Sequence, residues 1–133
     1  LLGELLEDAG AQDTLDGKSI QPEIVSVIHY INTHYQENIT LDAAAGLVHM
    51  SRYHFCRLFG SATGATFLEY LYNVRLSKVH QLLLDTRLPL SQIAEKCGFT
   101  STAHLSRVFR DAYGVSPREF RKSAADKEPP GQQ

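Results

Sequence analysis

One stretch of this chain occurs twice, fifty residues apart. When the sequence is shifted by fifty positions, Ala44–Gly64 lies over Ala94–Gly114, and seven of the twenty-one aligned positions are identical. Ordinary composition gives about one or two identities over such a length. The identical pairs are Ala44/Ala94, Ser51/Ser101, His54/His104, Arg57/Arg107, Phe59/Phe109, Ala62/Ala112 and Gly64/Gly114. The chain is therefore predicted to contain two copies of one structural unit.

The second copy shows its helix signals most clearly. Ser101, like Ser51 in the first copy, suits an N-cap, and Gly114 is predicted to end the helix in the left-handed conformation that glycine accepts. Ser116-Pro117 then suits the cap and first residue of another helix. Between Ser101 and Gly114, apolar residues recur at steps of three and four: Leu105, Val108, Phe109 and Ala112. Each copy is predicted to be a short helix, a turn and a second helix with an exposed polar face.

Helical patterns also occur throughout the chain before Ser101. Five further helices are predicted: Pro22–Tyr35, Leu41–Val48, Arg52–Ser61, a long one capped by Thr66 and reaching about Asp85, and Ser91–Cys97. In the second of these, Ala43, Ala44 and Leu47 are expected to face inward. The long helix is apolar around much of its circumference, which is typical of a helix covered on more than one side.

Domain boundaries follow from these patterns. Residues 1–20 are interpreted as a linker or the end of a preceding domain, because Gly, Asp, Thr and Ser are frequent in residues 10–19. Residues 21–123 form the predicted domain, with two lobes at about 22–64 and 87–122 joined by helix 66–85. Residues 124–133 are predicted to be a flexible tail. Because the chain begins Leu-Leu-Gly rather than with Met, it is interpreted as the C-terminal part of something longer.

Positive charge is concentrated in the repeated part of the chain. Residues 1–48 hold one Lys and eight acidic residues, a net charge of −7. Residues 49–122 hold eleven Lys and Arg against five acidic residues, a net charge of +6, and residues 123–133 add −1. A basic region of this kind is typical of a nucleic-acid-binding surface, although a merely solvated surface fits the charge equally well.

Several classes of protein are not indicated. The sequence has no acidic pair, nucleophile–base set or glycine-rich phosphate loop that predicts catalysis, so no enzyme activity and no cofactor are expected. Two scattered cysteines, Cys56 and Cys97, fit a reducing compartment, and no Cys or His pair has zinc-site spacing. No membrane span or signal peptide is visible. The predicted location is the cytoplasm.

The two copies have the pattern of a helix-turn-helix, in which the second helix is free to enter the major groove of DNA. Arg57 and Arg107 occupy the same exposed position of both copies, and Arg is well suited to a two-pronged bond with guanine. Surface or ion-paired arginines are the alternative. Tyr53 could contact a thymine methyl or be partly buried, and the histidines could contact DNA or have no role.

At this point the sequence resembles a known family. The segments IAEKCGF, SRVFR and YGVSPREFR are similar to the signature of AraC-type transcription regulators. ITLDAAAGLVHMSRYHFCRLFGSATGATFLEYL resembles the first helix-turn-helix of that family, and VRLSKVHQLLLDTRLPLSQIAEKCGF its central helix and second unit. The resemblance covers about residues 22–122. It implies an all-α fold of seven helices, with two helix-turn-helix subdomains joined by a long central helix.

The resemblance also implies function and partners. The expected protein is a sequence-specific bacterial activator that binds two adjacent major-groove segments of double-stranded DNA and contacts RNA polymerase, with an effector or dimerisation domain before residue 1. By position, the implied base contacts are Arg52, Tyr53, Cys56, Arg57, Thr102, Ala103, His104, Ser106 and Arg107. Expected phosphate contacts are Ser51, Ser101, Arg110, Arg118 and Arg121. Gly60, where the family usually has Lys, and Gly46, inside a helix, indicate a weaker or more flexible first lobe.

Two other functions stay open from the sequence alone. One is a helical protein-interaction module, and the other is the regulatory half of a DNA-repair fusion. Binding of DNA that weakens with salt would distinguish the first from the DNA-binding interpretation.

Overall fold

The computed structural model describes residues 14–15 and 18–126 of the chain. Within these residues there are seven α-helices, which confirms the predicted all-α class. A short antiparallel pairing of β1 (Thr14–Leu15) with β2 (Lys18–Ser19) precedes them. The helices are α1 (Pro22–His34), α2 (Leu41–Leu47), α3 (Arg52–Thr63), α4 (Phe67–Asp85), α5 (Leu90–Cys97), α6 (Thr102–Tyr113) and α7 (Pro117–Asp126).

Reciprocal hydrogen bonds cap the N-termini of α4 and α7. The Thr66 hydroxyl accepts from the Glu69 N–H at 3.0 Å, and the Glu69 carboxylate accepts from the Thr66 N–H at 2.9 Å. Ser116 and Glu119 exchange the same two bonds at 3.1 and 2.9 Å. These capping boxes satisfy backbone donors that have no partner inside the helix. The predicted caps at Thr66 and Ser116 are therefore confirmed.

Glycines end α3 and α6 at equivalent positions of the repeat. Gly64 has φ of 78° and Gly114 has φ of 82°, both in the left-handed region. Their N–H groups donate to the Gly60 and Arg110 carbonyl oxygens at 2.9 and 2.8 Å. A side chain at either position would be strained, because L-residues avoid this conformation. The helix stop predicted from Gly114 is confirmed.

The chain forms two compact units that divide within α4, between Tyr72 and Asn73. In the first unit, α1 and α2 both pack against α3. The centroids of the buried Phe55 and Phe59 rings of α3 and the Phe67 ring of α4 lie 5.5–6.1 Å apart. These tilted and edge-on contacts are favourable for aromatic rings and form the centre of this core.

The inward face of α2 differs from the prediction. Ala44 and Ala45 are buried, whereas Ala43 is exposed and Leu47 is half-exposed. The prediction was therefore right for Ala44 and wrong for Ala43 and Leu47. The physical reason is the composition of α2, because a seven-residue helix of mostly small side chains has too little periodicity to define its buried face.

In the second unit, α5 and α7 both pack against α6. The Phe109 ring lies 4.4 Å from that of Tyr113 and 5.7 Å from that of Phe120, between centroids. Every helix of this unit contributes buried side chains to its core, including Leu76, Val79, Leu83, Ile93, Cys97, Leu105 and Pro117. The polar face of α6 is thereby left outward, as the repeat predicted.

The turns of the two helix-turn-helix units are not identical. The left-handed residue is His49 in the first turn, with φ of 58°, and Gly98 in the second, with φ of 89°. His49 lies two residues before Ser51, whereas Gly98 lies three residues before Ser101. The fifty-residue register therefore slips by one within the turn. A left-handed histidine costs about 1 kcal/mol relative to glycine, so the first turn is the more strained of the two.

The ends of the predicted domain are only partly described. α7 continues to Asp126, three residues into the segment 124–133 that was predicted to be a tail. The rest of that segment, and most of the predicted linker 1–20, lie outside the described residues.

Candidate nucleic-acid interface

The outer face of α3 carries the four side chains predicted to contact bases in the first unit. Arg52, Tyr53, Cys56 and Arg57 are all exposed. Tyr53 is 71% exposed, which is high for a large aromatic side chain. The guanidinium carbon of Arg57 lies 5.6 Å from the centre of the Tyr53 ring, within range of a cation–π contact. Tyr53 and Arg57 thus lie next to each other on the surface of α3.

Arg52 has an acidic partner on α2. Its Nε donates to Asp42 Oδ1 at 2.9 Å and its Nη2 donates to Asp42 Oδ2 at 2.8 Å. The hydrogen bonds and negative charge of Asp42 raise the pKa of Arg52. Contact between Arg52 and a base stays a prediction. In such a contact, the Asp42 carboxylate would lie beside the guanidinium.

The outer face of α6 is less uniformly exposed. Ala103 and Arg107 are exposed, whereas Thr102, His104 and Ser106 are half-buried. The positions Arg57 and Arg107, which match in the repeat, are exposed in both units. All five predicted residues lie on α6, and Arg107 presents the longest polar side chain among them.

His104 packs beside the turn that precedes α6. Its ring centroid lies 5.5 Å from that of Phe99, and its Nδ1 lies 3.3 Å from the Thr100 hydroxyl. Burial lowers the pKa of His104, and the positive charges of Arg107 and Arg75 lower it further. The neutral imidazole is therefore favoured at pH 7. This ring has a packing role in addition to its predicted contact with DNA.

The serines predicted to contact phosphate cap both outer helices. The Ser51 hydroxyl accepts from the His54 N–H at 3.1 Å, and the Ser101 hydroxyl accepts from the His104 N–H at 3.0 Å. A hydroxyl that accepts in this way can still donate its own proton. The capping role is confirmed, and contact with phosphate stays a prediction.

Two of the three arginines predicted to contact phosphate lie at the surface of the second unit. Arg110 Nη2 lies 3.6 Å from Glu119 Oε1, and both side chains are more than 60% exposed. This ion pair is therefore weak, and Arg110 can leave it to bind a phosphate. Arg118 is exposed at the start of α7. It lines an open cleft with Pro89, Leu90, Ser91, Thr102 and Arg121.

The structure gives Arg121 a different role from the predicted phosphate contact. Its Nη1 donates to the Leu88 carbonyl oxygen at 2.7 Å, and Nη2 donates to that of Thr86 at 3.1 Å. Its Nε donates to the Leu83 carbonyl oxygen at 3.2 Å, and the side chain is half-buried. We therefore reassign Arg121 as a residue that holds the end of α4 and the following turn. The guanidinium bonds carbonyl groups that a helix end leaves without intrahelical partners.

Two residues with structural consequences were missed from the sequence. Asp42 was not connected with Arg52, although opposite charges at the start of two adjacent helices are a visible signal. Arg75 is 7% exposed, and its charge lowers the pKa of the nearby His104. Its only signal in the sequence was its position between the apolar residues Val74 and Leu76.

Other kinds of site are not indicated by the part of the chain that the structure describes. There, no three His, Cys, Asp or Glu side chains gather closely enough to hold a metal ion. In the same residues, no helix combines the length and the apolar character that crossing a bilayer requires.

Comparison with known proteins places this geometry in a family. Residues 44–123 match the family model described as a helix-turn-helix domain. The probable transcriptional regulator LumQ of Photobacterium leiognathi is 34% identical over 97 residues, which are 73% of this chain and 39% of LumQ. The HTH-type transcriptional regulator GbdR of Pseudomonas aeruginosa is 32% identical over 77% of this chain and 28% of its own length. The chain thus spans less than half the length of these relatives.

Solved structures support the same assignment. The DNA-binding domain of AdpA, a global transcriptional factor solved in complex with a target DNA, superposes with a TM-score of 0.78 at 28% identity. That match covers 83% of this chain and 99% of AdpA's domain. These relatives are regulators, in agreement with the prediction that the chain is not an enzyme. A transcriptional regulator of Chromobacterium violaceum, described as having an AraC-type DNA-binding domain, superposes with a TM-score of 0.71 at 30% identity, over 80% of this chain and 96% of that chain. The chain belongs to the helix-turn-helix family and has the fold of an AraC-type DNA-binding domain.

Proposed function

We propose that this chain binds double-stranded DNA in a sequence-specific manner, as the DNA-binding domain of a bacterial transcription regulator. α3 and α6 are the two recognition helices, and each occupies one of two adjacent major-groove segments. One observation carries the proposal: Arg57 and Arg107 are exposed at the same position of two Ser-capped helices in a repeated helix-turn-helix. A helix-turn-helix places its second helix in the major groove.

The chemistry of the two outer faces supports base contact. A guanidinium donates two parallel hydrogen bonds to guanine O6 and N7, a pattern that no other base pair presents in the major groove. The remaining predicted contacts follow from position on the same faces. Ser51, Ser101, Arg110 and Arg118 are proposed to bind phosphates, which orient the domain without selecting sequence.

The wider role of the regulator follows from the family resemblance. We propose an activator that contacts RNA polymerase and acts in the cytoplasm, where bacterial operator DNA is found. An effector or dimerisation domain is proposed to belong to the same regulator. The relatives that support this are longer than the matched segment, at 39% and 28% coverage of their lengths.

Selection of bound sites from random DNA tests the proposal. The domain should enrich one sequence with two conserved patches. On that site, Arg107→Ala should cost about 1–3 kcal/mol of binding free energy and relax preference at one base pair, and Arg57→Ala should do so in the other patch. Arg118→Ala is the matched control, because loss of a phosphate contact should weaken all sequences about equally.

Two results would contradict the proposal. Selection that enriches no sequence would remove sequence specificity altogether. Equal losses on all sequences for Arg57→Ala and Arg107→Ala would make both arginines phosphate contacts. Fluorescence anisotropy with the selected site and single-base variants distinguishes these cases.

A further inference from the structure

Asp42 and Arg52 connect the two helices of the first helix-turn-helix. Asp42 lies in the first turn of α2, and Arg52 is the first residue of the recognition helix α3. Two hydrogen bonds of 2.9 and 2.8 Å join the Nε and Nη2 edge of the guanidinium to both carboxylate oxygens. Such a two-pronged bond fixes both the position and the plane of the guanidinium.

This pair should contribute little to the stability of the fold. The side chains of Arg52 and Asp42 are 63% and 69% exposed, and ion pairs exposed to this extent contribute little to stability. α2 and α3 are already held by buried residues such as Ala44, Phe55 and Phe59. The consequence of the pair therefore lies in where it holds the guanidinium.

The bonds to Asp42 leave one edge of the guanidinium available for a ligand. Arginine has five N–H donors, and Asp42 takes one on Nε and one on Nη2. The remaining donors are on Nη1 and Nη2, which form the outer edge of the fork. Two parallel donors on this edge match the adjacent O6 and N7 acceptors of guanine.

The second helix-turn-helix has no equivalent of this pair. In the fifty-residue register, Asp42 corresponds to Gln92 and Arg52 to Thr102, neither of which is charged. The two recognition helices therefore differ at their first residue, although they share Arg57 and Arg107 further along.

We propose that Asp42 is a positioning residue that holds Arg52 for a two-pronged contact with guanine in the major groove. The proposal rests on the proposed function, since it adds a specificity element to the same DNA-binding face. Without Asp42, the arginine would have more rotamers to lose on binding and could turn to a phosphate instead. The carboxylate also offsets the charge of Arg52, so the pair contributes little to phosphate attraction.

The test uses the whole chain and the site selected by the wild-type protein. Affinity is measured for wild type, Asp42→Ala, Asp42→Glu, Arg52→Ala and the double variant, each against all single-base changes of that site. Asp42→Ala and Arg52→Ala should each reduce preference for the same guanine by about five- to tenfold. The double variant should lose no more than Arg52→Ala alone, and Asp42→Glu should recover part of the preference. Asp42→Ala should also steepen the salt dependence, since the freed arginine gains access to phosphates.

Gln92→Ala is the matched control, because it alters the corresponding position of the second unit and should leave preference for that guanine unchanged. Thermal unfolding of each variant checks that the domain remains folded. The proposal is overturned if Asp42→Ala leaves the preference unchanged, if it tightens binding equally on all sequences, or if the two variants affect different base pairs. If the wild-type chain selects no sequence, the proposed function fails as well. If Arg57→Ala and Arg107→Ala each reduce preference at one base pair as proposed, whereas Asp42→Ala leaves every preference unchanged, only this inference is overturned.

Discussion

Nη1 of Arg121 donates to the Leu88 carbonyl oxygen at 2.7 Å, and this bond connects α7 to the turn that follows α4. The same guanidinium also bonds the carbonyl oxygens of Leu83 and Thr86. Hydrogen bonds from a charged group to partly buried carbonyls are stronger than those between neutral groups. Arg121 is thus a fixed part of the second unit rather than a mobile surface cation.

Replacing Arg121 with Ala should lower the free energy of unfolding by about 2–3 kcal/mol, because several partly buried carbonyl oxygens lose their donor. Arg121→Lys should restore little of this, since an ammonium cannot reproduce the planar fork. Urea unfolding at constant temperature measures both effects.

Arg118→Ala provides the comparison for DNA binding. It should leave stability nearly unchanged and lower the slope of log affinity against log salt by about one unit. Arg121→Ala, measured at a temperature where it remains folded, should keep the wild-type slope. A reduced slope together with wild-type stability for Arg121→Ala would restore it as a phosphate contact.

Gly46 and Gly60 should weaken the first unit. Both lie inside helices, and a Cβ added at either would meet no atom within 4 Å. Gly46→Ala and Gly60→Ala should therefore each stabilise the domain by about 0.5–1 kcal/mol, since glycine lowers helix stability and neither site needs its freedom. Gly64→Ala is the matched control and should destabilise, because Gly64 has φ of 78°. Thermal unfolding that shows no gain for the two helix variants would contradict this account of the first unit.

The two cysteines should differ sharply in reactivity. Cys97 is fully buried, and burial raises its pKa to about 11, although Lys78, Arg75 and Lys96 act in the opposite direction. It should therefore remain a protonated, inaccessible thiol at neutral pH, whereas Cys56 is exposed on α3. An aromatic disulfide reagent should modify one thiol per native chain and two in denaturant. Cys56→Ser is the control. It should abolish the reaction of the native chain and leave the reaction of Cys97 in denaturant.

The raised pKa of Cys97 also predicts a pH dependence of stability. The unfolded thiol titrates near its ordinary value of 9.0, below the folded value of about 11. In that interval the unfolded state loses the proton first, so stability should fall as pH rises from about 9 towards 11. Cys97→Ala should flatten this part of the profile. An unchanged profile would mean that other groups dominate the alkaline limb.

Much of the fold could be predicted because its signals are local. Caps at Ser51, Thr66, Ser101 and Ser116, and the glycine stop at Gly114, determine helix ends through residues within a few positions of each other. The internal repeat then reinforced each signal with a second copy. The bounds of α1 to α6 agree with the prediction to within two residues for this reason, whereas α7 continues three residues into the segment predicted to be a tail.

Features that depend on tertiary contacts were harder to predict from the sequence. The bonds of Arg121 join residues 33 to 38 positions apart, and nothing local to Arg121 distinguishes it from Arg118. The Asp42–Arg52 pair could be predicted only by knowing that the starts of α2 and α3 lie close together. The buried face of α2 could not be predicted because most of its side chains are small. For the site, exposure of the predicted residues on α3 followed from helical spacing, whereas the packing of His104 did not.

The central claim is that both helix-turn-helix units bind DNA, and hydroxyl-radical footprinting of this chain on its selected site tests it most directly. Two protected patches should appear about ten base pairs apart, the spacing of successive major-groove segments on one face of the duplex. Arg57→Ala should weaken one patch, and Arg107→Ala the other. A single patch of one groove width that is insensitive to Arg57→Ala would contradict the claim, since only the second unit would then bind DNA.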